Sequence, residues 1–152
     1  MTEATQTVQE NILLVCKGNI CRSAAAEAVL VTLSAGKLRV RSRGTRGWHE
    51  GKGANAAMRS VALERGYDME AHIAHEITFE DTVWASEILA FDAETIKTLT
   101  EMFLQLSRGK VRLFASNGRN VVDPYGQSEE VFHDCFDEIE AGSREHLKRF
   151  GL

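Results

Sequence analysis

In the octapeptide Cys16-Lys17-Gly18-Asn19-Ile20-Cys21-Arg22-Ser23, a thiol and a guanidinium stand with five residues between them. A sulfur nucleophile beside a planar cation suits attack on phosphorus, because arginine pairs with two phosphoryl oxygens at once and lysine cannot. The residues between them permit a tight curve: Gly18 for a backbone angle closed to other residues, Asn19 for the left-handed conformation. A loop this short can turn its N–H groups toward one point, and a helix beginning at its end adds further unpaired donors. The expected product is an anion cradle with Cys16 at its floor, held as a thiolate by amide dipoles and Arg22. Far along the chain, Asp123-Pro124 supplies a carboxylate that by itself reads equally well as a turn former.

Such a loop needs a strand to deliver it and a helix to receive it. Residues 11–15 form an apolar run without polar alternation, as expected of a strand buried on both faces, and it leads straight into Cys16. From Ser23 an alanine-rich segment predicts a helix with Ala26, Val29, Leu30 and Leu33 on one stripe and Gly36 as its stop. The pattern then repeats. Strands are predicted at 38–42, 87–91 and 111–114, and a glycine-rich loop at 44–53. Helices are predicted at 54–65, at 93–106 with Asp92 as cap, and at 128–150. The last carries Phe132, Cys135, Phe136, Ile139, Leu147 and Phe150 on one face. Alternating strands and helices imply an α/β fold of three layers, a four-stranded parallel sheet covered on both sides, with ligands beyond the carboxyl ends of the strands.

Bulk properties narrow the partners. A chain of 152 residues with a net charge of −4 makes one domain, here 11–152 after a flexible lead at 1–10, and offers no broad attraction for nucleic acid or an anionic membrane. The polar N-terminus and the absence of a long apolar run predict a cytoplasmic protein without membrane insertion. Three cysteines, an odd number without zinc-site or secreted-framework spacing, disfavour structural bridges. No histidine–carboxylate cluster has ligand spacing, so no metal and no cofactor are expected. A monomer is the expected state.

The loop matches every fixed position of Cys-x-Gly-Asn-x-Cys-Arg-Ser and so resembles the low-molecular-weight protein tyrosine phosphatases, a phosphotyrosine phosphatase I-like fold. The likeness continues through Ser42, Thr45, Trp48 and Asp123-Pro124-Tyr125. It implies that Cys16 forms a cysteinyl-phosphate, that Arg22 and the loop amides hold the equatorial oxygens, and that Asp123 acts as acid and then as base. It implies further that Ser23 donates to the Cys16 sulfur, that Asn19, Ser42 and His72 form a buried set supporting the loop, and that Trp48 and Tyr125 wall the mouth. Lys17 is expected at the rim. Cys21 has two readings: core packing, or, as the resemblance suggests, a reversible disulfide with Cys16. Cys135 reads as core, and His49, His133 and His146 as surface.

Rival functions separate on single residues. Arginine phosphatases of the same fold resemble this chain but carry threonine where Ile20 stands, which favours phosphotyrosine. Arsenate reductases need two further cysteines in a mobile segment, and only Cys135 remains. A phosphopeptide-binding module would need neither a nucleophile nor an acid. Ala24, Arg43 and Asn55-Ala56 depart from the family pattern and bear on the rim and the substrate preference, while Gly126 after Tyr125, where a second tyrosine would stand, argues against regulation through a tandem tyrosine pair. Gly51-Lys52-Gly53-Ala54 resembles bacterial members that act on tyrosine kinases controlling polysaccharide export.

Overall fold

The computed structural model describes residues 10–115 and 117–152. The expected flexible lead therefore lies outside the described residues except for Glu10. That residue is tied down: its carbonyl accepts from the Arg39 N–H at 3.1 Å and its carboxylate from Ser86 Oγ at 3.1 Å.

Four parallel strands, β1 (Asn11–Cys16), β2 (Arg39–Gly44), β3 (Glu87–Ala90) and β4 (Val111–Leu113), form one sheet in the order β2-β1-β3-β4. Side chains alternate across a strand, so β1 splits its residues between two cores. Ile12, Leu14 and Cys16 pack with α1 (Arg22–Ser34), α2 (Ala56–Glu64) and α5 (Glu129–Arg149). Leu13 and Val15 face Ile77, Ile88 and Leu99 on the side of α3 (Phe79–Trp84) and α4 (Ala93–Met102). The three-layer α/β architecture is the expected one.

β1 has β2 on one side and β3 on the other, so the chain reverses its winding direction between β1 and β3. Loops leaving the carboxyl ends of these two strands diverge there and leave a crevice, the place where open α/β sheets bind ligands. Cys16 ends β1 and Asp92 follows β3, which puts both at that crevice.

Differences from the expected elements have local causes. β2 runs to Gly44, which pairs with Cys16. A Cβ on Gly44 would sit 2.5 Å from the Lys17 carbonyl oxygen, so only glycine lets the phosphate loop cross here. The helix expected at 54–65 begins later because Asn55 caps it, its side chain accepting from the Met58 N–H at 3.0 Å. α4 stops at Met102, and Phe103 and Leu106 reach the second core from the turn beyond it. α3 has no counterpart in the periodicity, being only six residues long. Thr78 and Asp81 form its capping box, and the Asp81 carboxylate takes hydrogen bonds from Arg41 and Arg43 of β2, each at 3.0 Å.

His146 is a further correction, being buried at 4 % exposure and not at the surface. The α5 stripe that buries Phe132, Phe136 and Ile139 continues to it. Its Nε2 donates to the Phe114 carbonyl at 2.7 Å and its Nδ1 accepts from Arg149 at 2.9 Å, which fixes a neutral ring. Burial, aided by the nearby Arg149 charge, holds its pKa below the ordinary 6.5. The unfolded chain therefore protonates first, and stability is full above about pH 6.5 and declines as pH falls below it. His146→Gln is expected to flatten the fall in Tm between pH 6.5 and about 5. An unchanged slope in thermal melts would contradict this.

Candidate active site

The phosphate loop is shaped by what its carbonyls do. Cys16 O accepts from Thr45 N–H at 2.9 Å, Lys17 O from Arg46 N–H at 3.0 Å and Ile20 O from Asn55 N–H at 3.0 Å. Asn19 O accepts from His72 Nε2 at 2.6 Å. With the carbonyls drawn outward, the N–H groups of Gly18 to Arg22 donate to no protein acceptor among the described residues. A row of unpaired amides at the start of a thirteen-residue helix is a seat for an anion.

Asn19 holds the curve. It has φ of 60° and is 1 % exposed. Its Oδ1 accepts from the His75 N–H at 2.9 Å and its Nδ2 donates to Ser23 Oγ at 2.8 Å. Gly18 does not take the left-handed position that its flexibility suggested; it admits the His49 ring, whose Cδ2 would lie 2.9 Å from an added Cβ. Ser23 Oγ, occupied as an acceptor by Asn19, is 3.0 Å from Cys16 Sγ and 3.5 Å from the Arg43 carbonyl, so the sulfur is the nearer acceptor for its proton.

Ser42 and His72 join the set through a residue the sequence reading did not single out. Glu27 of α1 accepts from Ser42 Oγ at 2.5 Å, and its Oε1 lies 3.8 Å from His72 Nδ1. Glu27 stands on the helix that opens with Arg22, one turn beyond Ser23.

Arg22 is a buried cation with an unfinished shell. Its side chain is 2 % exposed, and one terminal nitrogen donates to Asp92 Oδ2 at 2.7 Å and to the Val121 carbonyl at 3.0 Å. The Nε has no partner among the described residues. The other terminal nitrogen lies 3.7 Å from Asp123 Oδ2. Asp92, read from the sequence only as a helix cap, does both tasks: Oδ1 takes the Thr95 N–H at 2.7 Å while Oδ2 takes Arg22. Burial alone would raise its carboxyl, but the hydrogen bonds from Arg22 and Thr95 outweigh it and hold the group below the usual range. Asp92→Asn leaves a buried guanidinium without its nearest counter-charge, with only the longer contact to Asp123 remaining, at a cost of about 3 kcal/mol. A Tm loss of roughly 6 to 12 °C is expected for a chain of this size, and a loss under about 1 °C would mean that Arg22 is held by its other contacts.

The loop residues Cys16 to Arg22, with Trp48, His49, Asp123 and Tyr125, enclose a pocket of about 80 Å³. That is room for one phosphoryl group, not for a nucleotide. Its floor is buried, while Trp48 and Tyr125 are 64 % and 56 % exposed and stand as walls. His49 is a wall too, its ring centroid 5.9 Å from that of Tyr125, and the surface reading of this histidine is corrected. Lys17 points along the rim to Glu94 at 2.8 Å. Asp123 has 43 % of its side chain exposed and Oδ1 accepting from the Tyr125 N–H at 3.1 Å, so it both shapes the turn and faces the pocket.

Cys16, Cys21 and Cys135 are free thiols. Burial pushes Cys21 up and pushes Cys135 up to about 12, so both are thiols at neutral pH. Cys135 lies in the core as expected. His133 has a partner the sequence reading did not foresee, Arg65, 3.3 Å from its Nδ1. Glu64, Glu129 and His133 bring ligand atoms within 4.8 Å of one another, but two of the three are exposed and Arg65 sets a cation beside them.

Residues 11–151 match the family described as low molecular weight phosphotyrosine protein phosphatase. The chain belongs to this family. The low molecular weight protein-tyrosine-phosphatase Wzb of Escherichia coli is 38% identical over 137 residues, covering 89% of this chain and 91% of the relative. Among solved structures, Vibrio vulnificus Wzb in complex with benzylphosphonate superposes with a TM-score of 0.87 at 31% identity, covering 92% of this phosphatase and 98% of that chain. The YwlE arginine phosphatase of Geobacillus stearothermophilus gives 0.86 at 26%, covering 93% of each. This chain thus resembles both a relative named for tyrosine and a solved structure named for arginine, and the choice between these substrates must be argued from the pocket. Among the described residues no helix is long and apolar enough to cross a membrane.

Proposed function

We propose that this phosphatase hydrolyses phosphotyrosine in a protein through a cysteinyl-phosphate on Cys16. The observation that carries the reading is Arg22, a buried guanidinium with an unpartnered Nε in a pocket of phosphoryl size whose floor is a thiol. In the first step the Cys16 thiolate bonds to phosphorus as the bond to the phenolic oxygen breaks, and that oxygen takes the Asp123 proton. In the second, water attacks phosphorus, Asp123 takes its proton back, and the sulfur leaves as thiolate with Ser23 donating to it. Arg22 and the loop amides hold the equatorial oxygens throughout.

Phosphotyrosine is favoured over phosphoarginine by the walls. Trp48, His49 and Tyr125 offer aromatic faces to a phenyl ring, and Ile20 adds an apolar edge. The relative bound to benzylphosphonate supports an aromatic ligand, while likeness to the arginine phosphatase supports the alternative. The deciding experiment compares kcat/KM on one peptide carrying phosphotyrosine or phosphoarginine. A preference for tyrosine of at least about tenfold, or ~1.4 kcal/mol, is expected. A preference of that size for arginine would reverse the assignment.

Arsenate reduction fits poorly, because Cys135 is a core thiol and not part of a mobile relay. The reading places a single phosphatase domain at 11–152, monomeric and in the cytoplasm, where three free thiols are at home. The protein substrate we favour is a bacterial tyrosine kinase, a reading supported by the Wzb relatives and the loop at 51–54.

A further inference from the structure

A second cleft, of about 420 Å³, opens between α1, β2 and the segment 68–75 and shares no lining residue with the catalytic pocket. Its volume falls within the ~300 to 1,000 Å³ of small-molecule sites, and its lining is mixed, an apolar patch beside a group of polar and charged side chains. Ala28, Val31, Met69 and Ile73 supply the apolar surface, and Val31 and Ile73 are 45 % and 53 % exposed. Glu27, Ser42 and His72 reach it from within.

The charges in this cleft are unevenly spent. Arg43 is engaged by Asp81 and by the Ser42 carbonyl. His75 pairs with Glu50 at 2.7 Å, and His72 Nε2 donates to Asn19. Asp68 and Glu27 have no lysine or arginine partner among the described residues. Asp68 accepts only the Glu70 N–H, at 2.8 Å, and Glu27 holds the Ser42 hydroxyl with His72 Nδ1 at 3.8 Å. Arg43, the cleft's one arginine, is paired with Asp81, while Glu27 and Asp68 have no lysine or arginine partner among the described residues, so the cleft favours positive charge.

We propose that this cleft binds a small organic cation with an apolar body, the charge drawn to Glu27 and Asp68 and the body resting on Val31, Met69 and Ile73. Its occupancy reaches the catalytic loop by a short path. Glu27 faces His72, His72 holds the Asn19 carbonyl, and Asn19 holds the Ser23 hydroxyl that meets Cys16. A cation at Glu27 competes for the carboxylate that faces His72 and so changes the support of Asn19. Coupling of this kind is reciprocal, so an anion in the catalytic pocket alters affinity for the cation.

The test titrates isotope-labelled protein with 4-phenylbutylamine, with 4-phenylbutanol and 4-phenylbutyrate as controls that keep the body and change the charge. The amine is expected to move the methyl resonances of Val31, Met69 and Ile73 saturably, with Kd on the order of 1 mM for a ligand of this size. Butyrate should not saturate, and Asp68→Asn should weaken the amine at least about fivefold. At saturation the amine should also shift the His72 ring resonances and change kcat on an aryl phosphate without raising KM. An equal response to amine and butyrate, or shifts centred on Trp48 and Tyr125, would overturn the site; binding without any response at His72 or in kcat would overturn the coupling. Only the kinetic readout rests on the phosphatase reading, so a protein that binds the amine but turns nothing over would fail that reading and leave the site standing.

Discussion

Replacing Cys16 by serine is expected to lower kcat on phosphotyrosine by about 10⁴-fold or more while substrate binding changes by less than about threefold. The two effects separate because the sulfur is not what holds the phosphoryl group. Binding rests on Arg22 and on the amides of Gly18 to Arg22, turned inward because Thr45, Arg46, His72 and Asn55 hold the carbonyls of Cys16, Lys17, Asn19 and Ile20. A serine hydroxyl fits the same floor, near Ser23 Oγ, but is a far weaker acid than a thiol and stays neutral at neutral pH. The nearest hydroxyl, Ser23, donates toward position 16 and does not withdraw a proton from it. Wild-type enzyme quenched in mid-turnover on phosphorus-labelled substrate should carry label on Cys16. Turnover in C16S within tenfold of wild type, or no label on the wild-type residue, would remove the covalent mechanism and leave a general acid–base hydrolysis to be explained.

How much of this was legible in the chain follows from where each partner comes from. Cys16, Gly18, Asn19, Arg22 and Ser23 lie in one short segment, so the curve and its anion seat are local properties that residue types and spacing convey. The strand before and the helix after were legible for the same reason: Ile12 to Val15 are wholly buried and Ala24 to Leu30 are strong helix formers. Asp92 was half legible. Its cap on Thr95 is local, but its second oxygen meets Arg22 only because β3 lies beside β1, a fact of topology. Glu27, one helical turn past Ser23, looks like a solvated position until β2 and the segment holding His72 close over it. His49 and His146 were misplaced for a common cause: a histidine has no periodicity of its own, and both find their surroundings in residues distant along the chain, Tyr125 and Phe114. α3 had a signal, Thr78 with Asp81 three residues on, but six residues are too few to show a helical repeat.

Asp123→Asn should produce the second largest loss, about 10² to 10³ in kcat on phosphotyrosine, with binding little changed. Both chemical steps draw on this carboxyl, so the way the loss divides between them is the test. Tyrosine is a poor leaving group, and without a proton from residue 123 the first step is slow. 4-Nitrophenolate leaves more readily as an anion and needs that proton less. With 4-nitrophenyl phosphate, the variant should still transfer the phosphoryl group to Cys16, after which hydrolysis stalls because asparagine cannot take the proton of the attacking water. The outcome is a burst of nitrophenolate equal to the enzyme present, followed by a steady rate far below that of wild type. The position of Asp123 permits both tasks: its Oδ2 lies 3.7 Å from Arg22 and its side chain is 43 % exposed, open enough for water to reach it. Its Oδ1 bond to the Tyr125 N–H is one asparagine can also accept, so the turn and the Tyr125 wall should survive the substitution. Equal losses in binding and in rate, with no burst, would make Asp123 a turn residue whose carboxylate orders the rim and moves no proton.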